Sequence, residues 1–379
     1  MTAYRIPFNR PTVLGTEVAE MANAVACGHL SGDGPYTKKC HAVLESVTGT
    51  RKALLTTSCT HALEMAAILL DIGPGDEVIL PSYGFVSTVN AFVLRGAKPV
   101  FVDIRPDTLN LDEELVAQAI TPKTRAIVPI HYAGVGCNME RLCELSRQSG
   151  VPIVEDNAHG LFGKYRGKPL GSFGALATLS FHETKNITCG EGGALLINDE
   201  SLMERAEIIR EKGTNRSRFF RGEIDKYSWV DIGSSYLPSE ILAAYLWAQL
   251  QAWEQIQRTR CSIWKRYHKE LSGWAQENKV GLPVVPDECE QAYHMFYLVF
   301  PDEAGRQQTI ECLKAKGILS VFHYLPLHLS EMGRRYGGKV GACPVTETIS
   351  HRLLRLPMSF ELSASDQVDV CNTLRYQMI

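Results

Sequence analysis

The chain has 379 residues, 45% of them hydrophobic and 21% charged, with a formal net charge of −3. That length supports a large buried core, arranged as two domains or as one with an appendage. Acids and bases are mixed along the chain, which excludes a basic face for nucleic acid and a polybasic contact with a membrane surface.

Eleven cysteines with no CxxC pair indicate neither a disulfide framework nor a zinc site, so they are expected to be reduced thiols. The opening "MTAYRIPFNRP" lacks a signal-peptide pattern. No stretch approaches the ~18 apolar residues of a membrane span, and the expected location is the cytoplasm.

From about residue 50, short apolar runs alternate with amphipathic stretches. "KALLTT" precedes the helix-like "THALEMAAILL", "DEVILP" precedes "STVNAFVLRG", "KPVFVDI" precedes "DEELVAQAI", and "RAIVPIHY" precedes "NMERLCELSRQSG" before "VPIVED". This succession predicts an α/β domain on a mostly parallel sheet, with function at the carboxyl ends of its strands. Glycine and proline in "GPGDE" and "LRGAKP" supply the helix stops. Near residue 250 a long helical tract begins, with one expected break. Strand-like "HMFYLVF", helical "GRQQTIECLKAKG" and strand-like "LSVFHYLP" follow. The expected division is a large α/β domain over residues 1–250 and a smaller one over 251–379.

Among the motifs, "GVGCNM" matches only two glycines of the dinucleotide fingerprint, and no P-loop sequence occurs. In "TTSCTHAL", Ser58, Cys59 and Thr60 fall at a predicted helix start, where small hydroxyl residues either cap the helix or help bind a phosphate. "VPIVEDNAHG" ends a strand in Glu155 and Asp156. An acid there serves as a loop cap, a metal ligand or the partner of a protonated ring nitrogen. "GALATLSF" then delivers Lys185 in "HETKN", followed by "GEGG". A lone lysine is normally a solvated charge. A phosphate-binding helix start, a strand-end acid and a lysine followed by glycines are, together, the parts needed to hold pyridoxal phosphate.

With these motifs and "SGDGPYTKKC", "PSYGFVSTVNAF", "VFVDIRPDTLN", "VPIHYAG", "HYLPLH" and "LRLP", the chain resembles, nearly end to end, the sugar-nucleotide aminotransferases. These are fold-type I pyridoxal phosphate enzymes related to aspartate aminotransferase. The segment from Ala206 to Leu250 is most similar to the subgroup that makes dTDP-4-amino-4,6-dideoxygalactose for bacterial surface polysaccharides such as O antigen. The resemblance implies that Lys185 bonds to the cofactor and Asp156 pairs with its ring nitrogen. It places Phe85 on the ring face and His159 near the phenolic oxygen. Cys59, Thr60 and Ser180 would contact the phosphate, and Ser235 would reach it from a second subunit of a homodimer. His323 and Tyr324 would meet the sugar, while Lys212, Asn215 and Arg216 would meet the diphosphate in trans. His182 and Glu183 are expected to be structural.

The donor implied is L-glutamate and the acceptor dTDP-4-keto-6-deoxyglucose, with the gluco epimer or amination at C-3 as alternatives. Ser235 and Leu237 replace the Asn and Arg of the broader family, and Gly84 and Asn157 stand where Thr and Ala are common. Lys185 argues against the related dehydratases, which carry histidine there. A regulator or binding protein on the same scaffold would be expected to have lost Asp156 and Lys185.

Overall fold

The computed structural model describes residues 4–376. Its central feature is a seven-stranded sheet: β1 Lys52–Thr56, β2 Glu77–Pro81, β3 Lys98–Val102, β4 Thr124–Ile127, β5 Val154–Asp156, β6 Leu176–Ser180 and β7 Gly193–Ile197. The spatial order is β1-β7-β6-β5 in one part and β4-β2-β3 in the other. Single parallel bridges, Ile127 to Ile153 and Ile130 to Asp156, join the parts. β5 and β6 are parallel, as are β4, β2 and β3, whereas β7 runs antiparallel to both β1 and β6.

The strands are continuous apolar runs because both faces of the sheet are covered. Alternation divides each strand between two cores. Leu54 and Leu195 pack with Leu63, Val78 and Phe92 on one face. Leu55 and Leu196 pack with Leu44, Leu179 and Leu246 on the other. Side-chain caps start the intervening helices: Ser58 for Cys59–Leu69, Asp112 for Glu113–Ala119 and Asn138 for Met139–Ser149. Gly150, in the left-handed region at φ 73°, ends the last of these.

The long helical tract is broken at Ala252, between Glu240–Gln251 and Trp253–Glu277. Leu246 and Leu250 of the first helix belong to the sheet core. Ile263, Tyr267 and Leu271 of the second pack instead with Phe296, Leu298, Leu354 and Val370. The break is where the chain passes from one core to the next. Ile6 also joins this second cluster and bridges Ile318.

One expectation differs from the structure, and one strand carries no expectation. "LSVFHYLP" forms no strand: Ile318, just before it, bridges Ile6 while Val321 bridges Arg355, and two single contacts with different partners make no ladder. Conversely, the residues after "GEGG" form β7, the antiparallel strand that separates β1 from β6.

Candidate active site

A cavity of about 390 Å³ opens at the carboxyl ends of β5 and β6, with Cys59, Thr60, Phe85, Asp156, His159, Ser180, Lys185, His323 and Tyr324 in its lining. The structure thus gathers nine of the residues singled out above from five separate stretches of sequence.

The helix Cys59–Leu69 points its first turn into this cavity. Ser58 uses its hydroxyl to accept from His61 N at 3.1 Å, which leaves the first-turn N–H groups of Cys59 and Thr60 without a helical partner. The Thr60 hydroxyl donates to Ser87 Oγ at 2.9 Å. Gly193 permits this arrangement: a Cβ there would stand 2.4 Å from Cys59 N and from Ser58 C. The glycines after Lys185 therefore let β7 pass against the helix start. Burial pushes the Cys59 thiol up to about 12, so this cysteine is a neutral lining group rather than a nucleophile.

Strand alternation assigns the paired acids different tasks. Glu155 points away from the cavity and is wholly occupied, accepting from the N–H groups of Gly171, Phe173 and Gly174 and from His131 Nε2. Asp156 lines the cavity. Its Oδ2 accepts from the Thr88 hydroxyl at 2.6 Å and its Oδ1 from Ala158 N at 3.1 Å.

Lys185 sits in a turn held by its own N–H donating to His182 O at 2.9 Å and by Glu183 N donating to Gly190 O at 2.8 Å. Burial pushes its amine down to about 8, with Arg355 acting in the same direction and Asp156 opposing. His182 and Glu191 form an ion-pair contact at 3.6 Å.

Phe85 caps the helix Val86–Val93 by position and leaves 57% of its surface exposed at the cavity mouth. His159 is buried, and its Nδ1 has no hydrogen-bond partner. Tyr132 OH and His323 Nδ1 lie 2.9 Å apart, and the Tyr83 hydroxyl donates to His323 O, so the segment carrying His323 and Tyr324 is pinned to the large core.

Lys212, Arg216 and Ser235 lie elsewhere. They line a second cavity of about 830 Å³ that shares no lining residue with the first, and its basic side chains outnumber its acidic ones. Asn215 accepts from Ser228 N at 2.8 Å and lines neither cavity. Within one chain these four residues do not reach Lys185.

Sequence reasoning missed Thr88, Ser87, His294 and Arg355, all of which line the first cavity. Arg355 stands over the Phe8 ring at 4.6 Å. Its Nε is buried without a partner, and burial lowers its basicity. The "LRLP" motif contained this residue but gave no sign of its surroundings.

Four histidines, His41, His159, His294 and His323, are held well below their ordinary range, in each case chiefly by burial. As pH falls below their ordinary value of ~6.5, the unfolded chain takes up protons that the folded chain refuses. Stability is therefore present above that value and lost below it, with a slope of up to about 1.4 kcal/mol per pH unit for each histidine. Urea titrations of the cofactor-free protein are expected to show a midpoint that falls steadily from pH 7 to pH 5. A midpoint constant over that range would contradict the buried neutral assignment.

A seven-stranded sheet with one antiparallel member, carrying a helix start, a buried acid and a half-buried lysine around one cavity, defines the class of fold-type I pyridoxal phosphate enzymes. The unpartnered first-turn N–H groups and the orphaned His159 Nδ1 suit a phosphorylated, oxygen-bearing ring, so the residues present fit that cofactor. The DegT/DnrJ/EryC1/StrS aminotransferase family model matches residues 13–375, and the chain belongs to that family. It is a pyridoxal phosphate-dependent aminotransferase.

Among its relatives, the uncharacterized protein MJ1066 of Methanocaldococcus jannaschii is 33% identical, with 98% of this chain and 97% of that one covered. The aminotransferase TlmJ of Streptoalloteichus hindustanus is similar in structure, with TM-score 0.89, 32% identity and 98% of each chain covered. Spr1654 of Streptococcus pneumoniae in its PLP form has TM-score 0.90 and 28% identity, again over 98% of each chain.

Proposed function

We propose that the protein moves the amino group of L-glutamate to C-4 of dTDP-4-keto-6-deoxy-D-glucose, giving dTDP-4-amino-4,6-dideoxy-D-galactose and 2-oxoglutarate. The observation that carries the donor half of this reading is Arg355. A guanidinium placed beside Lys185 with no carboxylate partner among the described residues is a costly arrangement unless an anion completes it. A donor carboxylate, held by the planar fork of Arg355, does so.

Pyridoxal phosphate, when bound, supplies the electron sink that makes the donor's Cα–H bond acidic. The protein's residues do the rest. The helix start at Cys59 and Thr60, with Ser180, holds the phosphate. Phe85 would cover one ring face, and the unpartnered His159 Nδ1 would be available to the ring oxygen. Asp156, its oxygens oriented by Thr88 and Ala158 N, keeps a proton on the ring nitrogen. Lys185 Nζ, lowered to about 8, is neutral often enough near neutral pH to take the Cα proton.

The acceptor half rests on His323 and Tyr324 against the sugar, and on Lys212, Asn215 and Arg216 from a second copy against the diphosphate. Ser235 of that copy reaches the cofactor phosphate. The separate basic cavity that contains Lys212, Arg216 and Ser235 supports a homodimer in which each chain completes its partner's site. The resemblance of residues 206–250 to the C-4 subgroup supports the choice of carbon and epimer.

Arg355→Met tests the donor assignment. Removing a half-buried cation that has no carboxylate partner among the described residues leaves no orphaned charge, so the variant is expected to fold. The donor KM should rise roughly 10- to 100-fold through loss of a charge-assisted contact, while the acceptor half-reaction, started from the aminated enzyme, keeps its rate. An unchanged donor KM would remove Arg355 from this role.

A further inference from the structure

His294 shares the cavity lining with Lys185 and takes no part in the chemistry above. Its ring stacks on His159, with centroids 4.3 Å apart and planes at 16°. Its Nδ1 is 3.0 Å from Asn186 Oδ1. The Asn186 amide nitrogen donates to Ala292 O at 2.7 Å and to Gln257 Oε1 at 3.3 Å, which fixes the amide with its oxygen toward His294. His294 therefore carries its proton on Nδ1, and its Nε2 is an acceptor.

The segment that presents His294 is itself rigidly held. Arg260 donates from Nε to Tyr293 O at 3.0 Å and from Nη2 to His294 O at 2.6 Å. Ala292 N donates to Gly134 O at 2.9 Å, and a Cβ on Gly134 would come within 2.8 Å of Ala292 Cβ. A small space lined by His159, His294, Ser180, Lys185 and Asn186 adjoins the cofactor cavity and shares four of these five residues with it. Both partners of His294 thus border the chemistry: Asn186 follows Lys185 in the chain, and His159 faces the cavity with an unused nitrogen.

We infer that His294 is a positioning residue that sets the plane of His159 and, through Asn186, the direction from which Lys185 enters the cavity. It performs this task as the neutral Nδ1–H tautomer. The groups that act on it most strongly, His159, Lys185, Arg260 and Arg355, are all bases, and the acids of the cavity, Asp156 and Glu191, make no hydrogen bond or ion pair with it. Tyr132 meets His159 edge-on at 6.2 Å and His323 lies tilted at 6.3 Å, but among the described residues only His294 stacks face to face on it.

The inference rests on Lys185 and His159 serving the cofactor, and the experiment separates the two. His294→Phe keeps a flat ring in the stack but removes the Nδ1–H, and Asn186→Ser removes the same link from the other side without touching the core ring. Wild type and both variants, reconstituted with pyridoxal phosphate, are titrated by visible absorption from pH 6 to 10, reduced with borohydride and mapped. An adduct at Lys185 in wild type establishes the underlying reading, and its absence there would remove that reading itself.

With the adduct present in all three, the variants are expected to shift the absorption pKa by roughly half a unit or more. They should also lose about 10- to 100-fold in kcat, with both KM values within about twofold of wild type. His294→Asn, which restores an N–H toward Asn186, should recover part of the pKa shift. Variants that titrate and turn over like the parent would overturn the inference.

Discussion

Lys185→Ala is expected to yield a folded protein that still takes up pyridoxal phosphate but turns over at least ~10³-fold more slowly, since a positioned acid–base group alone contributes 10²–10⁴-fold. The fold should survive because the turn depends on backbone contacts. Lys185 N donates to His182 O and Glu183 N to Gly190 O, and alanine keeps both. Deleting a half-buried amine also relieves part of its desolvation cost.

What is lost is a base already tuned by its surroundings. At pH 7.5 an amine titrating at about 8 is neutral in roughly a quarter of molecules, against about one in a thousand for an ordinary lysine. Single-turnover kinetics with glutamate would measure the loss. The bound cofactor of the variant should show no borohydride-sensitive linkage to protein, and added methylamine should restore part of the rate. Retention of turnover within about tenfold of wild type would remove Lys185 from the acid–base role.

Asp156→Asn should be the second most damaging substitution, at about 10²- to 10³-fold in the donor half-reaction. The comparison is the 3–5 kcal/mol lost when one member of a buried ion pair is removed. The side chain is 5% exposed and sized to its pocket, so asparagine fits. One of its two ends, however, must now present N–H to a group that was a donor, either the Thr88 hydroxyl or Ala158 N–H. Thr88 can turn its hydroxyl to accept. Nothing replaces the negative charge that, on the proposed reading, would hold a proton on the cofactor ring. The expected signature is slow Cα proton removal with little change in glutamate KM, checked by a primary deuterium isotope effect that grows in the variant. Equal rates for the two proteins would mean that the ring nitrogen has another partner.

The parts of this protein that could be read from sequence are those where burial is continuous and local. "KALLT" and "EVILP" are apolar on both faces because helices cover both sides of the sheet, and the helix starts carry their caps in sequence. Gly193–Ile197 was missed because the preceding glycines look like a loop, and apolar content carries no information about strand direction. "LSVFHYLP" misled because β-like composition cannot say whether one neighbour runs alongside or two touch it once each.

The same division holds at the site. Asp156 and Lys185 stand at strand ends in recognisable company. Arg355 is one arginine among many until folding sets it in the same cavity lining as Lys185 with no carboxylate paired to it among the described residues, and His294 lies inside a run that looks like plain core. Lys212, Asn215, Arg216 and Ser235 illustrate the opposite limit: a single chain keeps them away from the cavity they were expected to serve.

The most direct test of the proposed reaction follows the nitrogen. The holoenzyme is supplied with ¹⁵N-glutamate and a panel of nucleotide-linked 4-keto and 3-keto sugars, and the products are assigned by ¹H–¹⁵N and ¹³C NMR. The account predicts label on C-4 of the dTDP-linked 6-deoxy sugar, in the galacto configuration, with one equivalent of 2-oxoglutarate formed. Label that stays in glutamate with every sugar offered, or that appears at C-3, would contradict it.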